Sequence, residues 1–371
     1  MNIEYPSPSW KDYEIIDSGN FEKLERFGGY ILARPEPKAL WDKTLPQSKW
    51  DSMTHTRFKP GAGFAKAGKE DSGTWERFKK MEDQWHIRYN GSQKGLSLDL
   101  RLGLTSFKHV GVFPEQAPNW EYIFRNTKAL VEKAKAENKP TPKVLNLFAY
   151  TGAASLAAKA AGADVTHLDS VRQVVTWARG NMESSNLDGI RWVIEDAMKF
   201  ARREQKRGNT YQGIILDPPA YGHGPDGEKW KLDECLFDML KCVGSILAPE
   251  DGFMVLNLYS NGYSAILGET LVKEAFRLKD SDNYSIESGE LALKDSFGKA
   301  LPLSIFVRLC RGGQNHSRTK RNSPQKPLSF QGEFSFMYHG PGTILQPSCP
   351  RTPPVHRLQK DRHNHRRQLS A

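Results

Sequence analysis

Two apolar segments that each end in a polar loop constrain this chain more than any other feature. Lys143-Val-Leu-Asn-Leu-Phe-Ala-Tyr-Thr-Gly152 has the pattern of a buried strand, a tight turn and the start of an Ala-rich helix. Ile214-Ile-Leu-Asp-Pro-Pro-Ala220 has the pattern of a second buried strand that ends in an acid and two prolines. A parallel α/β sheet places the carboxyl ends of its strands along one edge, where ligands bind. The two loops are therefore expected to lie side by side.

The region around these segments alternates between strand and helix. We predict strands at 143–148, 164–169, 191–195, 212–217 and 252–258, with two extended runs near 284 and 303 that close the sheet. Helices are expected at about 152–161, 171–185, 196–207, 230–248 and 264–278. This succession indicates an α/β fold with a doubly wound, mostly parallel sheet and helices on both faces.

Composition shifts along the chain predict four parts. Residues 1–80 contain short strand-like pieces bounded by Gly and Pro, which indicate a small β-rich accessory domain. Residues 81–120 are expected to form a bridging β-hairpin segment, with its turn at Asn90-Gly91, that contributes to the ligand site. Residues 121–310 form the main α/β domain. Residues 311–371 are rich in Pro, Arg, His and Ser, and are expected to be a basic, disordered tail.

The net charge of +10 belongs almost wholly to that tail. Residues 311–371 hold 11 Lys and Arg against 2 Asp and Glu, which leaves 42 against 41 for residues 1–310. The charge therefore says little about the ligand side of the main domain. No apolar run is long enough for a membrane span, and the four cysteines show no metal or disulfide spacing. These features favour a cytoplasmic protein without a metal.

The turn after the first strand of the main domain is a candidate cofactor site. In the run Phe148, Ala149, Tyr150, Thr151 and Gly152, the glycine allows a ligand to approach the backbone, and the helix behind it offers free N–H groups. The α-carboxylate of S-adenosyl-L-methionine suits such a helix start. An ordinary strand–helix turn that binds nothing is the alternative.

Two acids at the ends of the next strands strengthen the cofactor interpretation. Asp169, followed by Ser170, comes about 20 residues after the turn, where an acid can accept both hydroxyls of a ribose. Asp196 can accept from the adenine amino group, while Ala197 offers a backbone N–H to the ring. Asp196 can instead be the N-cap of the following helix. A nicotinamide cofactor is disfavoured because the Gly-x-Gly-x-x-Gly pattern is absent after the first strand.

Asp217, Pro218, Pro219 and Tyr221 are the candidate catalytic residues. The prolines stiffen the loop, so that the acid and a proline carbonyl can accept the hydrogens of an amine and aim its nitrogen at a methyl donor. Tyr221 is expected to stack on a flipped or single-stranded base. Ala220 occupies the position next to the prolines, which weakens the case for amine chemistry. Methylation of a pyrimidine C5 needs a cysteine nucleophile, and neither loop contains one.

Several of these motifs together resemble the bacterial rRNA large-subunit methyltransferase family. The resemblance rests on His109-Val-Gly-Val-Phe-Pro-Glu-Gln116, Leu145 to Ala153, Leu168-Asp-Ser170, Asn181 to Leu187, Glu195-Asp-Ala197, Leu216 to Gly222 and Glu228-Lys-Trp230. It covers about residues 10–310 and is closest to a sub-branch of shorter S-adenosyl-L-methionine-dependent methyltransferases. The cytosine-C5 members carry Ser-Cys-Ser after the fifth strand, where this chain has Leu258-Tyr-Ser260.

The resemblance also implies a set of cofactor contacts and a substrate. It implies that the cofactor is surrounded by Phe148, Tyr150, Gly152, Asp169, Asp196 and Asp217, and is approached by Pro114, Glu115 and Gln116. The leading hypothesis is an enzyme that methylates ribosomal RNA without a cysteine nucleophile. Two alternatives remain: the same chemistry on a small molecule or protein, and a non-catalytic RNA-binding protein with a degenerate fold. The sequence alone leaves the modified atom open.

Overall fold

The computed structural model of the chain describes residues 2–62, 72–259, 262–279 and 281–312. Residues 1–317 belong to one compact unit. Ser260 and almost all of the predicted 311–371 tail lie outside the described residues. Of the helices in these ranges, none is both long and apolar enough to cross a membrane.

The largest element of the fold is an eight-stranded sheet. Its strands are β1 (Asn2–Glu4), β9 (Lys143–Leu147), β10 (Asp164–Asp169), β11 (Ile190–Ile194), β12 (Gly213–Leu216), β15 (Phe253–Leu258), β16 (Tyr284–Lys294) and β17 (Ala300–Arg311). They follow the order β1-β16-β17-β15-β12-β9-β10-β11. The pairs from β15 through β12, β9 and β10 to β11 are parallel, whereas β17 runs antiparallel to both of its neighbours.

Helices cover both faces of this sheet because its central strands are apolar on both sides. The helices are α2 (Ala117–Ala136), α3 (Ala153–Ala160), α4 (Arg172–Ser184), α5 (Ala197–Arg207), α6 (Leu232–Ile246) and α7 (Ala265–Phe276). Val144 packs in one core cluster and its neighbour Leu145 in the other. Ile215 and Ile214 divide between the two clusters in the same way. This alternation is the period of two that a strand imposes. The predicted α/β doubly wound fold is confirmed.

A second sheet of five strands forms the β-rich N-terminal region. Its strands are β2 (Tyr13–Gly19), β3 (Glu22–Phe27), β4 (Tyr30–Pro35), β5 (Thr56–Pro60) and β6 (Gly73–Arg77), and the short helix α1 (Gln47–Met53) precedes β5. The hairpin of β7 (Gln84–Asn90) and β8 (Ser97–Gly103) follows, and its turn begins after Asn90 as predicted.

Two boundaries differ from the sequence prediction. The first three-residue strand, β1, lies within the predicted accessory domain but pairs with β16 of the large sheet. Helix α2 begins at Ala117, before the predicted boundary at residue 121. Pro118 lies in the first turn of this helix, where a missing N–H costs nothing. A short 3₁₀ helix, Pro114–Gln116, leads directly into α2.

Candidate active site

The turn after β9 has a strained backbone. The φ angles of Phe148, Tyr150 and Gly152 are +58°, +48° and +92°. A positive φ in a bulky aromatic residue costs free energy and persists only where the surroundings hold it in place. At Gly152 a Cβ atom would also lie 3.0 Å from the Cβ of Ala178. The turn therefore requires glycine at position 152 and external support for its two aromatic residues.

Asp169, at the end of β10, provides part of that support. Its Oδ2 accepts a hydrogen bond from the backbone N–H of Tyr150 at 2.9 Å, and its Oδ1 accepts from the N–H of Val171 at 3.0 Å. An ionised carboxylate has about four acceptor positions, so a ribose can still bind. The ribose contact predicted for Asp169 stays a prediction. The structure adds a second role, which is to hold the turn that faces the cofactor.

Thr151 is anchored from two other directions. Its hydroxyl donates to the carbonyl oxygen of Gly111 at 2.6 Å, and its own carbonyl accepts from the Asn181 amide at 2.9 Å. Gly111 belongs to the segment that the sequence assigns to the bridge, and Asn181 belongs to α4. The bridge and α4 therefore fix the same turn from opposite sides.

A cavity lies against this turn and against the ends of β9, β12 and β15. Its polar or aromatic lining residues include Phe113, Gln116, Asn119, Trp120, Asn146, Phe148, Tyr150, Thr151, Asp217 and Asn257. Ala149, Gly152 and the first two residues of α3 complete the wall near the turn. We call this space the inner cavity. None of the described residues that line it is Lys, Arg or His.

Asp217 and Asn257 lie next to each other across two strand ends. β12 and β15 are paired in parallel with Leu216 opposite Leu256, so the following residues are also neighbours. The Asn257 amide donates to Asp217 Oδ1 at 2.7 Å. Asn257 is only 2% exposed, and its Oδ1 has no hydrogen-bond partner among the described residues.

A larger cavity also has Asp217 and Asn257 in its wall. We call it the outer cavity. It is lined by Lys23, Arg34, Glu36 and Lys38 of the N-terminal region, by Lys108, Phe113, Glu115 and Gln116 of the bridge, and by Pro219, Ala220, Tyr221 and Tyr259 of the main domain. The inner and outer cavities therefore share one wall, and among the described residues Asp217 is the only carboxylate that lines both.

Burial raises the pKa of three carboxyl groups in this region. The pKa of Asp217 rises to about 7, because desolvation and the nearby Glu115 outweigh the hydrogen bond from Asn257. Desolvation also raises the pKa of Glu115, which lies close to Glu25, and that of Asp169. Acids with perturbed pKa values cluster at functional sites more often than elsewhere. The three shifts fall on the bridge, on the shared wall and on the strand end that supports the turn.

Asp196 lies in a separate depression, together with Met198 and Trp230. It is the N-cap of α5, where its Oδ1 accepts from the N–H of Lys199 at 2.8 Å. The capping role weighed in the sequence analysis is thus present, and contact with adenine stays a prediction. Trp230 lines this depression, and its ring centroid lies 4.8 Å from that of Phe148, which lines the inner cavity.

Some of the other predicted site residues line one of the two cavities, and others line neither. Glu115, Pro219 and Tyr221 line the outer cavity but not the inner one. Asp169, Ser170 and Ala197 line neither of the two cavities, although they follow the ends of adjacent strands. Pro218 is buried next to Asp217.

One of the two proline carbonyls in the predicted catalytic loop already has a partner. The contact between a proline carbonyl and an amine stays a prediction. The Pro219 carbonyl accepts a hydrogen bond from the indole N–H of Trp230 at 2.7 Å, which uses one of its two lone pairs. The reason is the short hairpin of β13 (Tyr221–His223) and β14 (Lys229–Lys231), which folds Trp230 back onto the loop.

Sequence reasoning missed three residues that shape the site: Asn146, Asn257 and Trp230. Both asparagines stand inside apolar strands, at Val144-Leu-Asn-Leu147 and Val255-Leu-Asn-Leu258, and both are 2% exposed. A polar residue in such a strand is informative because buried polar groups must find partners. Trp230 was part of the resemblance but had no predicted role.

These features fit S-adenosyl-L-methionine. The inner cavity meets the first turn of α3, whose N-cap Gly152 offers no capping side chain, so this end suits a carboxylate. The same cavity has the acid Asp217 and no basic residue among its described lining residues, which suits a cation. No group of three or more metal-binding side chains occurs in the described part of the chain.

Comparisons with known proteins agree with this fit. The chain is similar to a solved structure described as the SAM-dependent methyltransferase from Agrobacterium tumefaciens, with 35% identity and a TM-score of 0.72 over 84% of this chain and 93% of that one. It is 25% identical to the ribosomal RNA large subunit methyltransferase K of Neisseria meningitidis serogroup B, over 71% of this chain and 69% of that protein. No family model matches the chain.

A longer relative matches a smaller part of the chain. The ribosomal RNA large subunit methyltransferase K/L of Shewanella frigidimarina is 30% identical over 160 residues, which are 42% of this chain and 21% of that protein. The chain therefore spans about a fifth of the length of that relative.

A doubly wound sheet whose last strand, β17, runs antiparallel between β15 and β16 is the fold of a class I methyltransferase. The chain is 35% identical to the Agrobacterium protein over 93% of that protein, which places the two chains in one family. The chain belongs to the S-adenosyl-L-methionine-dependent methyltransferases, and it is an enzyme whose cofactor is S-adenosyl-L-methionine.

Proposed function

We propose that this methyltransferase acts on ribosomal RNA. The observation that carries the proposal is the wall at Asp217 and Asn257, which faces the inner and the outer cavity alike. A methyl donor in the inner cavity and an acceptor in the outer cavity would meet there. The names of the K and K/L relatives supply the substrate class.

The lining of the outer cavity suits a nucleobase and its backbone. Phe113, Tyr221 and Tyr259 offer aromatic surface, and the rings of Phe113 and Tyr259 are stacked with centroids 6.4 Å apart. Stacking on aromatic rings is the usual way to hold an unpaired base. Lys38 and Lys108 add positive charge on the side of the N-terminal region and the bridge. A base would have to be flipped or single-stranded to reach Asp217.

Within this proposal the catalytic loop positions the acceptor. S-adenosyl-L-methionine supplies a sulfonium methyl group, and the transfer depends mainly on proximity and alignment. Asp217 accepts a hydrogen from the acceptor group, Pro218 and Pro219 fix the direction of the carboxylate, and Tyr221 contacts the base. Of the three cysteines in the described residues, Cys235, Cys242 and Cys310, none lines either cavity, in keeping with a reaction that uses no cysteine nucleophile.

The four predicted parts of the chain receive roles in the same proposal. Residues 1–80 and 81–120 form the walls that face RNA, and residues 121–310 carry the cofactor and the chemistry. The basic segment 311–371 adds attraction for phosphate, which makes binding weaken with salt.

The test is methyl transfer from tritiated S-adenosyl-L-methionine to unmodified large-subunit rRNA, transcribed in vitro from the gene of the source organism. We expect label in the RNA with the wild-type chain and none with Asp217→Ala, whose fold is checked by circular dichroism. Incubation with protein and small-molecule fractions of the same cells runs in parallel. Label in one of those fractions alone would contradict the proposal.

Charge balance favours a second candidate, the same chemistry on a small molecule or protein. Arg34 is bound to Glu25 by a buried ion pair, with Nε 2.8 Å from Oε2, and Lys23 lies 3.4 Å from Glu36. Two of the basic residues in the outer cavity are therefore already neutralised. The parallel fractions in the same experiment decide between the two candidates.

A further inference from the structure

The side-chain oxygen of Asn257 is the buried polar atom of this site whose hydrogen-bonding capacity is not used by the described residues. Asn257 is 2% exposed, and its Oδ1 has no partner in the described part of the chain. Besides the Thr127 hydroxyl, it is the only side-chain oxygen among the described residues that is buried in this state. An unsatisfied buried acceptor costs about 1–3 kcal/mol. Such a group persists where a bound ligand supplies the missing donor.

The other side-chain carboxamides near the site have no buried oxygen that lacks a partner among the described residues. Asn119 donates to Gln116 Oε1 at 2.9 Å and accepts from Arg308, and Gln116 donates to the Ser304 hydroxyl. Asn146 donates to Ser155 at 2.9 Å, and its Oδ1 is not among the buried side-chain atoms of the described residues that lack a partner. No described side chain supplies the donor that Asn257 lacks, so a group that enters one of the two cavities it lines can supply it.

Charge indicates which ligand group this is. Asp217 is held against Asn257 by the 2.7 Å hydrogen bond, and no basic side chain among the described residues lines the inner cavity. The uncapped first turn of α3 lines the same cavity and attracts an anion. The inner cavity thus offers partners both for a cation and for an anion. The methionine part of the cofactor carries an ammonium and a carboxylate on the same carbon atom.

We propose that Asn257 is a cofactor-binding residue whose Oδ1 accepts a hydrogen bond from the α-ammonium of S-adenosyl-L-methionine, while the adjacent Asp217 carboxylate balances its charge. An ammonium group has three N–H donors, so it can satisfy Asn257 and Asp217 together. Its positive charge also keeps Asp217 ionised, so that the carboxylate is ready to accept a hydrogen from the methyl acceptor. Binding of the cofactor thereby completes the acceptor side of the site.

Calorimetry with two ligands tests this assignment without any methyl acceptor. The first ligand is S-adenosylhomocysteine, and the second is its desamino analogue, which keeps the adenosine and the carboxylate but lacks the amino group. Each is titrated into the wild-type chain and into Asn257→Leu, which has a similar size but no polar atoms. We expect Asn257→Leu to bind S-adenosylhomocysteine about tenfold or more weakly, and the desamino analogue within about twofold of wild type.

Two further variants separate a ligand contact from a structural role. Asn257→Asp keeps an oxygen at the position of Oδ1, and we expect it to retain the preference for S-adenosylhomocysteine. Gln116→Leu removes a carboxamide of the same cavity whose oxygen is already bonded to Asn119, and should change the affinity for both ligands by the same factor. Equal weakening of both ligands by Asn257→Leu would overturn the proposal. An unchanged affinity for S-adenosylhomocysteine in that variant would overturn it as well.

Discussion

Replacing Asp217 with asparagine should make the folded chain more stable at alkaline pH, although it removes a catalytic group. The pKa of Asp217 is about 7 in the folded chain, against 3.8 for an ordinary aspartate. Below pH 3.8 the carboxyl is protonated in both states and contributes nothing. Between pH 3.8 and 7 the unfolded chain loses this proton while the folded chain keeps it. The folded state then binds more protons, so the free energy of unfolding falls as the pH rises.

The size of the effect follows from the size of the shift. One pKa unit corresponds to about 1.4 kcal/mol, so a shift of about three units costs the folded state about 4 kcal/mol once the pH exceeds 7. This is an upper value, because Asp217 borders two cavities that admit water. We therefore expect a gain of about 2–4 kcal/mol for Asp217→Asn at pH 8 and almost none at pH 4. The amide oxygen of the new side chain can still accept from Asn257.

Urea unfolding of both proteins between pH 4 and pH 8, in the absence of cofactor, measures this difference. Other titrating groups cancel because only the variant minus wild-type difference is used. Glu204→Gln is the control, because its effect on the free energy of unfolding should change with pH in the opposite direction. Although burial raises the Glu204 pKa, hydrogen bonds from Asn209 and Tyr211 lower it overall, so its stabilising contribution is lost as the pH falls. A difference for Asp217→Asn that stays constant with pH, or grows towards acid, would refute the reasoning.

Three further substitutions test the turn and its supports. Gly152→Ala forces a Cβ into a left-handed backbone 3.0 Å from Ala178, and should destabilise the fold by about 1–3 kcal/mol and weaken S-adenosylhomocysteine binding, as thermal melts and calorimetry would show. Asp169→Ala removes the acceptor for two backbone N–H groups and the predicted ribose contact; affinity within twofold of wild type would contradict both roles. Trp230→Phe keeps an aromatic ring in place but loses the N–H that donates to the Pro219 carbonyl. Turnover should therefore fall about tenfold, while the affinity for the cofactor stays nearly unchanged. An equal loss of turnover and affinity would argue against a role of Trp230 confined to the catalytic loop.

The sequence predicted the sheet well because its signals are local. Apolar runs such as Ile214-Ile-Leu216 can only be buried strands, and the intervals between them fit helices, so the observed bounds differ by only one or two residues at most ends. The exceptions have longer-range causes. β1 consists of three exposed or half-buried residues, and its place in the sheet is decided by pairing with β16, nearly 290 residues away. Arg308 adds to that pairing by bonding Glu4 at 2.8 Å.

The candidate site was predicted only as far as strand ends determine it. Asp169 and Asp217 follow strands, and their place at one edge of the sheet follows from parallel pairing alone. What each carboxylate does there depends on groups that no local pattern reveals. Asp169 accepts from the turn at Tyr150, and the Pro219 carbonyl is taken by Trp230, eleven residues away. Position in the fold is thus easier to predict than hydrogen-bond partner.

The two buried asparagines show how such partners can be sought in a sequence. Asn146 and Asn257 interrupt apolar strands that pack on both faces, where a leucine would gain about 2 kcal/mol from burial and leave nothing unsatisfied. Asn146 has its partner in the protein, since it donates to Ser155, which in turn contacts the buried, neutral His167 at 3.0 Å. Asn257 likewise donates to Asp217, but its Oδ1 is buried without a partner among the described residues, which is not the case for the Asn146 Oδ1. The same residue type in the same setting thus serves two purposes. A complete hydrogen-bond account separates them, because the one that remains unsatisfied is the one that needs a ligand.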